Sequence, residues 1–449
     1  MSVQTDSTPA VVTYLRSLKA VRERSKQVFD LVVSGNADYW DWHEDKFATV
    51  IDACSAILEQ RDFGTNYDKI PPHCRANHFR TTTPTPIDRI AALEAHPSFP
   101  KDPVKQAAVL IDLYVVSVLL DAGAGNTWSY TETEGGKEVW RGGRSEGIAI
   151  ASYHMFVDGV FSATKGDPLR VDAAALKALT PEILAKHFQV TETNPMSGLE
   201  GRTSLLSQLG GALEARPDIV KSGRPGDILF YFEPKLQTGT GGKPVLSLEA
   251  FWATLFDLLS PIWPSRTTLP THPDYVLGDV WVAPSLARSL DKRGAARTEG
   301  DDLVPFHKLT QWLCYSLIEP IEGVAKWSVD RGAGQTGLPE YRNGGLLVDH
   351  GLITIRSDAL PVGAYPNGRE GLPVLPPSHP AVVEWRAVTV VALDKIHEGI
   401  CAKLGITSSQ LSLAQVLEAS TWKGGREIAA QKRSNGGPPI EIISDGTVF

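Results

Sequence analysis

The four cysteines of this 449-residue chain, Cys54, Cys74, Cys314 and Cys401, lie far apart. None belongs to a CxxC or another short metal-ligand spacing, which argues for a reducing compartment. No apolar span of about 18 residues occurs, so no membrane helix is expected. The first thirty residues carry Arg16, Arg22, Glu23 and Arg24 among apolar positions. They hold no uninterrupted apolar stretch of a signal peptide, and a cytoplasmic protein is expected. No run of Lys or Arg exceeds a pair and the net charge is −8, so a nucleic-acid partner lacks electrostatic support. GxGxxG, GxxxxGK[ST] and GxSxG are all missing and no internal repeat is visible. Dinucleotide, P-loop and α/β-hydrolase readings therefore lack their usual marks.

What is present is helical periodicity. Val12, Leu15, Leu18, Val21, Val28 and Leu31 recur at three- and four-residue steps and predict an amphipathic helix. A second helix follows Trp40 and Trp42. The stretch 103–121 is apolar on nearly all sides and predicts a helix in the centre of the core. Further helices are expected at 144–162, within 172–213, at 248–260 and from His379 onward, with one more helix and a short strand at the C-terminal end. Trp128 and Tyr130 before a Glu-Gly-Gly turn, with Val139 and Trp140 after it, predict a β-hairpin. The Gly-Gly pair at 344–345 reads as a turn into extended segments, with Arg342 and Asn343 at the turn. The fold class expected is mainly α with small β-hairpins. A Thr-Gly-Thr-Gly-Gly run makes 234–247 a candidate joint between helical subdomains 1–233 and 248–449 of one catalytic unit.

Chemistry-bearing residues collect at the ends of these elements. Asp121 ends one helix, Trp128 and Tyr130 open the hairpin, and Arg144 and Glu146 begin the next helix; Arg144 and Glu146 either serve a site or pair with each other. His73, Arg75 and His78 either face a ligand or sit in a solvated loop, and the Gly and Pro content favours the loop. His272, Asp274, Asp279 and His307 are a conceivable divalent-metal set, zinc for example, although two closely spaced His on one helix face are missing. Arg386 is either a partly buried ion-pair member or an anion ligand. In DDLVPFHKLTQWLCYSLIEP, residues 301–320, Asp301 and Asp302 precede Pro305, and Leu309, Leu313 and Leu317 share one helical face. Pro305 is expected in the first helical turn. The two carboxylates either cap that helix or are aimed into a pocket.

Several blocks taken together carry a resemblance. LDAGAGNTWSY, RSEGIAIASYHMF, VPFHKLTQWLCYSLIEP, YRNGGLLVDHG, VEWRAVTVVALD, TWKGGREIAA and the closing SDGTVF resemble the fourth-protein family of the uracil-catabolism (URC) gene clusters of fungi and bacteria. The resemblance runs from about residue 10 to the end. CRANHF at 74–79 departs from the more basic and aromatic block expected there. The resemblance implies a step in using uracil as a nitrogen source, in a pathway that makes the nucleotide, opens the ring and releases urea. A shorter block, DDLVPFHKL, resembles the acidic-to-Val-Pro segment of queuosine 5′-phosphate N-glycosidases, which are all-helical relatives of helix-hairpin-helix DNA glycosylases. That likeness singles out Asp301, with Asp302 beside it.

The implied reaction is hydrolysis of a ribosylurea, or its phosphate, to urea and the sugar. Such cleavage develops oxocarbenium character at C1′, which a carboxylate such as Asp301 or Asp302 stabilises. The leaving urea needs a proton or hydrogen bond, for which Glu146 and His307 are candidates. A sugar phosphate needs cations, for which Lys308, Arg342 and Arg144 are candidates, and Asp121, Trp128, Tyr130 and Asn343 complete the substrate-binding set. Trp128 and Tyr130 either cover a planar face of the ligand or belong to the core. No cofactor is expected on this reading, and the expected partners are a small molecule and other uracil-pathway enzymes. The alternatives are a metal-dependent hydrolase of a ureido C–N bond built on the His272/Asp274/Asp279/His307 set, and a non-catalytic carrier of a pathway intermediate.

Overall fold

The computed structural model describes residues 8–60, 66–82, 85–121, 123–125, 127–331 and 334–443. Parts of three sequence readings fall outside them: the closing SDGTVF, positions 64–65 of the loop ahead of His73, and positions 122 and 126 of the block before Trp128. The chain is 53% helix and 10% strand, its sheets having two or three strands. It is therefore mainly α with small β elements, as the periodicity predicts. The described residues form two compact units, each assembled from separate stretches: those within 8–73, 264–311 and 334–443 in the first, and those within 74–263 and 312–331 in the second. No helix among the described residues is long and apolar enough to cross a membrane.

The first unit is built on the helix Pro380–Leu404. Pro380 fits its first turn, where a missing N–H costs nothing, and the His379 ring accepts the N–H of Ala381. Gly405, at φ +68°, ends it. Buried residues line nearly its whole length, and it packs on Leu18–Val33 and Phe47–Glu59. Gly399 permits that approach, since a Cβ there would meet the Ile51 side chain at 2.3 Å. Two short antiparallel pairs, Trp40–Trp42 with Ile353–Ile355 and Val280–Val282 with Leu303–Pro305, tie distant segments into this unit.

Two local readings are corrected here. Pro305 ends a strand opposite Val280, and the helix begins only at Lys308, after His307 in the left-handed region at φ +49°. The cap of that helix comes from far along the chain, because the Asp279 carboxylate accepts the N–H of Lys308. Residues 341–349, expected to hold a Gly-Gly turn leading into extended segments, form the helix Tyr341–Asp349, and extension begins only at Ile353. Gly344 sits inside this helix for packing rather than for a turn: a Cβ would lie 2.7 Å from the Trp385 indole.

The second unit is centred on Pro103–Leu119, in which every residue from Ala107 to Leu119 is buried. Asp112 in its middle is matched by Arg224 and by the N–H groups of Val171 and Gly226. The helix Arg144–Val157 packs against it and ends earlier than its apolar pattern suggests. The hairpin is present as Tyr130–Glu134 with Lys137–Gly142. The segment Arg75–Phe79, read as solvated loop, is a buried helical turn containing a fully buried arginine.

Candidate functional site

In the first unit the polar side chains gather around Asp279. Its Oδ1 accepts from Arg386 Nη1 at 2.7 Å and from the Trp281 indole at 2.6 Å. Its Oδ2 accepts from Arg386 Nη2 at 2.7 Å and from the Lys308 backbone at 3.0 Å. These donors hold its carboxyl well below the usual range despite burial. All four lone-pair positions of the carboxylate are used, which disfavours its service as a metal ligand. Among the described residues no three His, Cys, Asp or Glu side chains converge on a possible ion. Arg386, stacked over Phe306 at 4.2 Å, is thus the ion-pair member of the two readings. His307 is buried, with Nε2 2.8 Å from the Leu15 carbonyl. Burial lowers its pKa to about 4, so at neutral pH it is an uncharged imidazole donating Nε2–H to Leu15.

Lys308 leads to the second group. Its ammonium acts electrostatically on Glu340, which is 7% exposed and caps the helix Tyr341–Asp349. Glu340 accepts the N–H groups of Arg342 at 2.7 Å and Asn343 at 2.6 Å. Burial pushes its carboxyl pKa up, and these N–H groups and the Lys308 and Arg342 charges offset that only in part. Asn343 is fully buried, with Nδ2 donating to the Leu338 carbonyl at 3.2 Å. Arg342 donates from Nη1 to the Gly436 carbonyl.

A further helix braces this corner. Trp422–Lys432 packs on Tyr341–Asp349, and Gly425 brings the two backbones together. Just before it, Leu417–Thr421 forms a single π-helical turn, where Glu418 receives a hydrogen bond from His73 Nδ1 at 2.7 Å. Trp422 contacts both the His73 ring, tilted against it, and the Arg426 guanidinium, which lies over its ring.

In the second unit Arg75 is the organiser. Its guanidinium donates to Ser117 Oγ at 2.7 Å, to Asp121 Oδ2 at 2.8 Å and to the carbonyls of Ser117 and Ser145. Its face covers Trp312 at 5.4 Å. Ser145 Oγ donates to Asp121 Oδ1 at 2.9 Å, and Glu146 adds its field to Arg75. Arg144 is exposed and held at φ +52°, a strained conformation for a residue with a side chain. A Cβ on neighbouring Gly143 would meet the Trp128 carbonyl at 2.5 Å.

The remaining sequence candidates lie elsewhere. Asp301 closes a turn, accepting from the Thr298 backbone and hydroxyl and from Arg24. The Asp302 carbonyl accepts from Ala283. Both precede the strand Leu303–Pro305, which puts roughly 10 Å of extended chain between them and Lys308. His272 packs edge-on to Tyr275, and Asp274 is exposed. Trp128 is buried, stacked on Phe188 and donating to its carbonyl, while Tyr130 stacks on His154.

Comparison with known proteins places this architecture. Over residues 14–449 the sequence matches the family described as protein of unknown function, DUF1688. The chain belongs to that family, which is the fourth-protein family of the URC clusters. It is 41% identical over 449 residues to uracil catabolism protein 4 of Lachancea kluyveri, spanning 98% of this chain and 99% of the relative. It is 40% identical over 443 residues to protein urg3 of Schizosaccharomyces pombe, again spanning 98% and 99%.

Within this DUF1688 member, the structure brings Asp279, His307, Lys308, Arg342 and Asn343 into one unit with Arg386 and Glu340. It brings Asp121 and Glu146 together with Arg75 in the other. Glu340 escapes the sequence reading because the Gly-Gly pair after it reads as a turn rather than as helix interior. An acidic residue three positions before Asn343 in a helical register is the N-cap signal that would have found it.

Proposed function

We propose that the chain is a urea-releasing N-glycosidase of uracil catabolism, acting on a ribosylurea or its 5′-phosphate, with Glu340 as the proton donor. The name of the Lachancea kluyveri relative supports the pathway. The observation that carries the chemistry is Glu340: a buried carboxyl with a raised pKa, fixed by two backbone N–H groups and flanked by Lys308, Arg342 and Asn343. A carboxyl that keeps its proton closer to neutral pH is suited to general acid catalysis.

In this reading Glu340 gives its proton to the urea nitrogen as the C1′–N bond breaks and the bonding pair moves to that nitrogen. Water then adds to C1′ and its proton passes to the Glu340 carboxylate, which restores the acid. Lys308 and Arg342 supply the positive charge that a sugar phosphate requires.

The test is incubation of the purified protein with enzymatically made ribosylurea 5′-phosphate while urea and ribose 5-phosphate are followed. Wild type is expected to release both in equal amounts. Glu340→Gln keeps one acceptor for the helix cap and is expected to lose at least about 100-fold in kcat. Absence of urea release by wild type, or undiminished turnover by Glu340→Gln, overturns the proposal.

A further inference from the structure

Asn343 has one feature that its part in the helix does not explain. The side chain is fully buried, and its Nδ2 donates to the Leu338 carbonyl. This bond fixes the orientation of the amide, because a flip would set Oδ1 against that carbonyl oxygen. Oδ1 is therefore an acceptor, and among the described residues it meets no donor. A buried acceptor left without a donor costs about 1–3 kcal/mol, and natural interiors satisfy such groups or use them. Leu338 precedes the first turn of the helix, so the amide is turned back toward the end that Glu340 caps, where Lys308 adds its charge.

We infer that Asn343 Oδ1 is a specificity-determining acceptor for an N–H of the substrate, selecting a ureido or amide group over a hydroxyl or a bare sugar. The inference rests on the glycosidase reading for the identity of the substrate but not for the existence of the acceptor. A ureido nitrogen brings N–H donors into the corner where Glu340 protonates the leaving nitrogen. The C1′ hydroxyl of the sugar product has one donor at most and no planar nitrogen, so the product is bound less well than the substrate.

The experiment titrates ribosylurea 5′-phosphate and, separately, ribose 5-phosphate into the full-length protein carrying Glu340→Gln, alone and combined with Asn343→Leu or Asn343→Asp. Leu has nearly the shape of Asn and removes the acceptor. It is expected to weaken ribosylurea 5′-phosphate by about 10- to 100-fold while leaving ribose 5-phosphate within about twofold. Asp keeps an oxygen at the Oδ1 position and sets another against the Leu338 carbonyl. It is expected to lower stability yet retain the preference for the ureido ligand. Equal weakening of both ligands in the Leu variant, unchanged affinity for the ureido ligand, or loss of preference in the Asp variant overturns the inference. If the Leu variant fails to fold, the Asp variant alone decides. Binding that depends on Asn343 without urea release by wild type removes the glycosidase reading and leaves the acceptor. Urea release with no dependence on Asn343 does the reverse.

Discussion

A Cβ built on Gly425 would lie 2.1 Å from the carbonyl oxygen of Arg342, so the helices Trp422–Lys432 and Tyr341–Asp349 meet backbone to backbone. The atom in the way is main chain and cannot rotate aside. Gly425→Ala must therefore push the helix bearing Glu340, Arg342 and Asn343 outward, at a cost of about 1–3 kcal/mol. A lower denaturation midpoint and reduced turnover are expected together. Gly211, exposed within the helix Leu199–Ala215 and with no atom within 4 Å of its built Cβ, is the control. Gly211→Ala should raise stability by about 0.5–1 kcal/mol through helix propensity.

Acid should weaken the first unit in two stages. The folded pKa of His307, about 4, lies below its ordinary value near 6.5. Its contribution is complete above about pH 6.5 and declines as pH falls toward 4, because the unfolded state then binds more protons. Asp279 is also depressed, so its contribution holds above its unfolded value near 4 and is lost below that. His307→Asn suits the left-handed backbone at this position and removes the titration. Urea unfolding at a series of pH values should show a shallower decline for this variant between pH 6.5 and 4. An identical slope would place the acid sensitivity elsewhere.

Asp301 and Glu340 make opposite predictions about which carboxylate matters for turnover. Asp301 is engaged on both oxygens by Thr298 and Arg24, and these contacts lower its pKa against the opposing effect of burial. Asp301→Asn should cost stability of about 1 kcal/mol with kcat within about threefold of wild type. Asp302→Asn should be similarly mild. A loss of 100-fold in either would move the catalytic carboxylate to the 301–302 turn.

The contrast between what the chain discloses and what it conceals follows from where information is local. The helices Pro103–Leu119, Leu248–Leu259 and Pro380–Leu404 were legible because burial, proline entry and caps are written within a few residues. Glycine misled at 344–345, where the pair marks helix packing against Trp385 and Pro439 instead of a turn. The beginning of the helix at Lys308 was hidden because its cap, Asp279, is 29 positions away. Arg75 looked solvated because the Gly and Pro content of its stretch reads as a loop; its partners Ser117, Asp121 and Ser145 come from two other helices and the residues just after the first of them. Candidate residues were recognisable by type, whereas their grouping depended on contacts between distant segments.

The buried Arg75–Asp121 pair gives the most direct measure of the second unit's polar interior. Arg75 is fully buried and the Asp121 side chain is 6% exposed. Removing the guanidinium in Arg75→Met leaves an uncompensated carboxylate, and the expected loss is about 3–5 kcal/mol. Arg75→Lys retains charge but cannot reach Ser117, Asp121 and the Ser145 carbonyl with one planar fork, so an intermediate loss is expected. Adding Asp121→Asn to Arg75→Met removes the stranded charge and should restore part of the stability, with a coupling of about 1–3 kcal/mol. Chemical denaturation of the two single variants and the double variant measures it. Strict additivity would mean that Ser117, Ser145 and the face of Trp312, rather than the carboxylate, are what hold Arg75 in place.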